Sequence, residues 1–338
     1  MPALTGIRLP LAFWVVAHHI AGPGRMLQPL TSASSVVDAL LEAAWTALSV
    51  FFAISGFVLA RRYRHASWNR QAVRRYVVAR FARIYPLYLL SLLILLPIIT
   101  ETLRLGTRGP GATTDLLVTH VFLLLPLRRL SWPRVAATAA VACGVPIVLR
   151  LLIEPPIPKA LLYFGDFMVG IAAAGAFDLL RPRVDPQGLG PWLYGPALAG
   201  GIALLLSRDA IGSFLVFDTG LRIVTAVLVL GLACGGGWLV RGLSSAVVLT
   251  GGRASYAIYI LHVPVLWWFE RWHLDRAFPP LQAGAIYLAV VTALSLVVSR
   301  WFEGPVNALV RNFRLRRRSA RELRVPSRAA YVTESIRD

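Results

Sequence analysis

Residues 43–60 read "AAWTALSVFFAISGFVLA", eighteen residues without a charge, and the chain turns abruptly basic at Arg61. At a rise of ~1.5 Å per residue, a helix of that length covers about 27 Å, close to the ~30 Å hydrocarbon layer of a bilayer. The run is continuously apolar and lacks the alternation of a barrel strand, so it reads as a membrane-spanning helix.

Comparable runs recur at 9–22, 84–100, 114–127, 135–153, 159–177, 190–206, 219–240, 246–269 and 281–302. With 57% apolar and only 15% charged residues among 338, the composition lies far outside that of a soluble domain. The sequence predicts an all-α, polytopic membrane bundle of about ten transmembrane helices. One transmembrane domain is expected over 1–306, followed by a basic tail over 307–338 whose arginines suit an anionic leaflet.

A formal charge of +19 raises the question of nucleic acid, but the arginines sit between and after apolar runs rather than on a soluble face. Membrane topology explains them better. The segment 61–83, "RRYRHASWNRQAVRRYVVARFAR", holds eight arginines and no acidic residue, and Arg314–Arg328 adds a second cluster. Under the positive-inside rule both are cytoplasmic, which places loops 23–42, 101–113, 207–218 and 270–280 on the other side and both termini inside. The first run has no basic region before it and no convincing cleavage site, so it is expected to be a spanning helix of a multi-pass cell-membrane protein. Cys143 and Cys234 lie in apolar runs, with the spacing of neither a metal site nor a disulfide framework.

Ionisable residues in spanning helices are costly and tend to face cavities. Arg8 and His19 are eleven residues apart, three helical turns plus about 20°, and so share a face. His18 falls about 80° from the Arg8 direction, which makes His19 the partner of choice. Their backbones are separated by ~16 Å of helical rise, so they would meet different parts of one substrate or one long channel. Ser55 and Gly56 are small residues in a bulky run, with close helix packing as their simplest role. Arg80 and Arg83 lie i,i+3 at the cytoplasmic entrance, placed for the phosphates of an anionic donor or simply as a topology signal. Ser255, Tyr259 and His262 fall near one face of "RASYAIYILHVPVLWW", a polar lining for a cavity or a set of interhelical hydrogen bonds.

Four ordered stretches, "LTGIRLPLAFWVVAHH", "FFAISGFVLA", "RFARIYPLYLL" and "SYAIYILHVPV", followed by "FEGP", resemble the acyltransferase-3 family of integral membrane acyltransferases. The resemblance covers roughly residues 4–100 and 250–306, with the middle matched loosely through "YFGDFMVGI". It implies transfer of an acyl group, often acetyl, from acyl-CoA as co-substrate to a hydroxyl of a saccharide, lipid-linked glycan, antibiotic or other small acceptor. On this resemblance Arg8 and His19 take the catalytic positions, Arg80 and Arg83 face the donor, and Ser55, Gly56 and Phe57 match the family's serine-glycine-phenylalanine.

The residue types suit the chemistry. Imidazole with a pKa near ~6.5 serves as a general base at neutral pH, arginines hold phosphates or polarise a carbonyl, and no metal or other cofactor is required. One departure stands out. The family's tryptophan-serine-leucine-serine-x-glutamate stretch has no counterpart between Asp115 and Arg134, where the chain reads "LLVTHVFLLLPLRRLSWP". Either another carboxylate such as Asp166 substitutes for it, or the protein is a degenerate homologue. A transporter in which Arg8, His19 and His262 line a path for an anionic or glycosidic substrate is the reading from a different class.

Overall fold

The computed structural model describes residues 1–64, 70–104, 159–211 and 219–305, with isolated positions between 131 and 144. All regular structure among them is helical. Helix α1 (Pro2–Gly6) leads into α2 (Arg8–His19) through Ile7, whose backbone stays in the right-handed helical region. Then follow α3 (Gln28–Ala33), α4 (Ser35–Glu42), α5 (Thr46–Tyr63), α6 (Arg70–Arg104), α7 (Lys159–Leu180), α8 (Pro186–Leu206), α9 (Leu221–Cys234), α10 (Gly237–Leu243), α11 (Ala246–Arg271) and α12 (Pro280–Val298).

Six stretches are long and apolar enough to cross a membrane: Ser35–Tyr63, Tyr76–Ile98, Tyr163–Leu180, Pro186–Leu206, Ala246–Arg271 and Pro280–Phe302. Leu89, Leu93, Leu96, Ile202 and Val297 stand exposed on their outward faces, as a hydrocarbon solvent permits.

Two expectations are corrected. Residues 219–240 are not one straight helix: the chain bends by 81° between α9 and α10 at Gly235, Gly236 and Gly237, with φ of 90°, 78° and 75°. Only glycine takes three such values in succession without strain. The expected loop 23–42 contains α3 and α4, because Pro29 fits the first turn of one and Ser34 caps the other, accepting from the Val37 amide at 3.4 Å. Of the basic segment 61–83, α5 takes in the residues up to Tyr63 and α6 those from Arg70 onward. The run 114–127, Cys143 and the tail 307–338 lie outside the described residues, and 135–153 is described only at isolated positions.

Contacts fix which helix ends lie together. At one end, here the basic end, Arg8 of α2, Arg61 of α5, Arg80 of α6, Arg253 of α11 and Ser299 beyond α12 line one pocket. At the opposite, histidine end, His18 of α2 meets Leu41 of α4, and Arg25 pairs with Glu270 of α11 at 3.1 Å. Trp268 Nε1 of α11 donates to the Ile94 carbonyl of α6 there.

Helices α5 and α7 run parallel in close contact: a Cβ on Gly170 would lie 1.9 Å from the Ala53 carbonyl oxygen, and one on Gly56 would lie 2.1 Å from that of Phe167. Backbone-to-backbone approach through small residues is how apolar helices associate in lipid. Gly170→Ala should therefore destabilise the protein by at least ~2 kcal/mol, because the two backbones must separate. Gly195→Ala, with nothing within 4 Å of the new Cβ, should be neutral or mildly stabilising. Thermal melting of the two variants in detergent checks the contrast.

Candidate active site

The polar residues of α2 serve two separate environments. Arg8 opens the helix on a pocket of about 750 Å³ at the basic end, whose lining includes Ser55, Arg61, Arg80 and Arg253. Four guanidinium groups from four helices thus converge on one space suited to a multiply charged anion. Arg61 is held there by its guanidinium 4.4 Å above the Phe177 ring and by Asp178, whose carboxylate lies 3.6 Å from Arg61 and 2.9 Å from Arg64. Arg80 lies over the Tyr76 ring at 5.7 Å. The side chain of Arg83 lies outside the described residues.

Ser55 and Gly56 divide their work as neighbours on a helix must. Ser55 faces the pocket, while Gly56 presses on the α7 backbone. The small-residue packing expected of this pair holds for the glycine, and the serine is free to meet a ligand.

At the histidine end, His19 lies exposed with its ring centroid 4.9 Å from that of His262 on α11 and 5.4 Å from that of His18. His18 has a structural task. Its Nδ1 donates to the Leu41 carbonyl at 2.8 Å, and one turn earlier on the same face of α2 Trp14 Nε1 donates to the Leu40 carbonyl, so both side chains pin α4 to α2.

His262 is 3% exposed, and its Nδ1 lies 2.6 Å from the Tyr259 carbonyl, which can only accept. Tyr259 also stands beside it, ring to ring at 5.8 Å. The third member of the expected face, Ser255, is buried and donates to the Gly252 carbonyl one turn back. Its hydroxyl serves its own helix. Tyr256, one residue on, makes the interhelical bond instead, donating to the Ile84 carbonyl of α6 at 3.1 Å.

Sequence reading missed four residues that matter. Arg253 and Arg61 complete the basic pocket, and Arg25 donates to the His19 carbonyl at 2.9 Å while pairing with Glu270. Arg222 donates through Nε to Asp166 at 2.9 Å in a pair only 3–4% exposed, so the carboxylate considered as a substitute for the missing glutamate is engaged as an ion-pair partner between α7 and α9. Arg253 carried a legible signal, an arginine at the basic end of a spanning helix. The others depended on which helices become neighbours.

The acyltransferase-3 family model, described as an acyltransferase domain, matches residues 1–300. The chain belongs to this family. The match spans both ends of the bundle and the middle where the motif resemblance was loose. Acyltransferase MdmB of Streptomyces mycarofaciens is 28% identical over 352 residues, covering 86% of this chain and 87% of that protein. No solved structure matches. The general chemistry of this acyltransferase-3 protein is acyl transfer, carried out by a membrane-embedded helical bundle.

Proposed function

We propose that the protein is a membrane O-acyltransferase that moves an acyl group, acetyl by first choice, from acyl-CoA to a hydroxyl of a saccharide, glycan or other small acceptor. The observation that carries this reading is the basic pocket on the face of α2 that also leads, ~16 Å further along, to His19. The donor is an anion with its phosphates at one end and its thioester on a long flexible arm, which suits that separation. Arg8, Arg61, Arg80 and Arg253 take the phosphates, with Arg83 joining them on the family resemblance alone, and Ser55 lines the same space.

The acceptor hydroxyl gives its proton to His19 as its oxygen attacks the thioester carbonyl. The carbon–sulfur bond breaks, and the leaving thiolate takes a proton from the imidazolium. The steps need a base with a pKa near neutrality and no metal.

Topologically, we read ten spanning helices with both termini in the cytoplasm of a multi-pass cell-membrane protein. The ten apolar runs of the sequence and the positive-inside placement of its two arginine clusters support this reading.

Purified protein in lipid nanodiscs, given labelled acetyl-CoA and a cell-envelope or metabolite extract, should transfer label to an extract component and release free CoA. Absence of both transfer and thioester cleavage would overturn the reading. Movement of a substrate across a vesicle membrane without consumption of acyl-CoA would favour the transporter alternative. Arg253→Ala should raise the donor KM about tenfold, the weight of one charge-assisted hydrogen bond, while kcat stays within a fewfold. Steady-state kinetics with varied acetyl-CoA checks the split.

A further inference from the structure

His262 is a buried histidine with one ring nitrogen accounted for and the other not. Because a carbonyl oxygen cannot donate, the contact with Tyr259 puts the proton on Nδ1 and leaves Nε2 with a lone pair. Among the described residues, Nε2 is buried and has no hydrogen-bond partner. An unsatisfied buried acceptor costs roughly as much as a lost hydrogen bond, so leucine would pack there at lower cost if the role were only to fill space.

The surroundings keep the ring in place. Tyr287 Oη of α12 donates to the His262 carbonyl at 2.7 Å, and Tyr287 itself is fully buried against Phe269. Opposite stands His19, the two ring centroids 4.9 Å apart and tilted by 45°. A centroid separation of about 5 Å is what an N–H···N bond of ~3 Å between two imidazoles produces once the rings turn toward each other.

We infer that His262 is a positioning residue for His19: as the two rings turn toward each other in the working enzyme, the open Nε2 accepts the proton of one His19 ring nitrogen, leaving the other nitrogen of His19 free as the base. This rests on the reading of His19 as the general base. The bond made by one ring nitrogen of a histidine decides which tautomer its other nitrogen presents. Here a neutral imidazole, itself oriented by a backbone carbonyl, takes the place that a carboxylate holds in a serine-histidine-aspartate triad. That arrangement also gives this chain a way to orient its base without the glutamate stretch that 115–134 lacks.

Two variants separate this role from a structural one. Asparagine at 262 places its amide near the position of Nδ1, so it can keep the Tyr259 contact but offers nothing to His19. Glutamine reaches the position of Nε2 and offers His19 an acceptor. With acetyl-CoA as donor and the envelope extract as acceptor, His262→Gln should stay within about fivefold of the parent kcat. His262→Asn should lose ~10–100-fold, the scale at which orienting partners of functional histidines act, with the donor KM unchanged in both.

Equal losses in the two variants, or a larger loss in glutamine than in asparagine, would overturn the proposal. His19→Ala, assayed in parallel, keeps the two ideas apart. If it is inactive while His262→Asn works normally, only the positioning role fails; if it remains active, the base assignment itself fails.

Discussion

Replacing His19 with alanine should lower kcat by ~10²–10⁴-fold, the contribution of a positioned general base, while folding and donor affinity remain those of the parent. The separation of effects follows from the structure. His19 is exposed at the end of α2, and the tertiary hold on that end comes from other groups: His18 on the Leu41 carbonyl, and Arg25 on the His19 backbone carbonyl. Removing the imidazole therefore leaves the packing intact. The basic pocket lies at the far end of the same helix, and neither His18, His19 nor His262 lines it. A variant that binds acetyl-CoA normally, melts normally and turns over hundreds of times more slowly is the expected result, read by donor titration, thermal melting and label transfer. A His19→Ala protein that melts normally and turns over at the parent rate would remove the base from the mechanism.

Arg222→Met should be the most damaging single change to stability, by about 3–5 kcal/mol. Arg222 and Asp166 are almost wholly buried at the contact of α7 with α9, 2.9 Å apart. Methionine fills much of the volume of the arginine stem but leaves the Asp166 carboxylate without its counter-charge in a low-dielectric interior. Breaking such a pair is costly, whereas replacing both members with apolar residues is often neutral. Asp166→Leu combined with Arg222→Met should accordingly recover most of the loss. Melting temperatures of the two single variants and the double variant measure the coupling directly, and a double variant no better than Arg222→Met would mean that the pair's other surroundings dominate.

What could be read in the sequence, and what could not, follows from the range of the forces involved. The apolar runs specify the helices because hydrophobic length is a local property, and Arg8 and His19 could be placed on one face because helical phase is local too. The 81° break at Gly235–Gly237 escaped a hydropathy reading, since three glycines barely alter the mean apolarity of the run yet supply the one backbone conformation that ends it. Ser255 looked like a cavity residue from its spacing alone. In three dimensions its hydroxyl turns back on Gly252, a choice that spacing does not encode. Arg222 was invisible as a partner for Asp166 because fifty-six residues separate them and only the parallel course of α7 and α9 brings them together. Arg61 and Arg253, likewise, become one binding surface only when α5 and α11 end side by side.

The break after Cys234 also marks a level in the bilayer. Helix α10 turns 81° aside from α9, and Trp238 on it stands 75% exposed. Tryptophans concentrate at the headgroup level, where the ring is wet on one side and apolar on the other, so the turn that ends α9 gives this corner of the bundle an anchor at one interface.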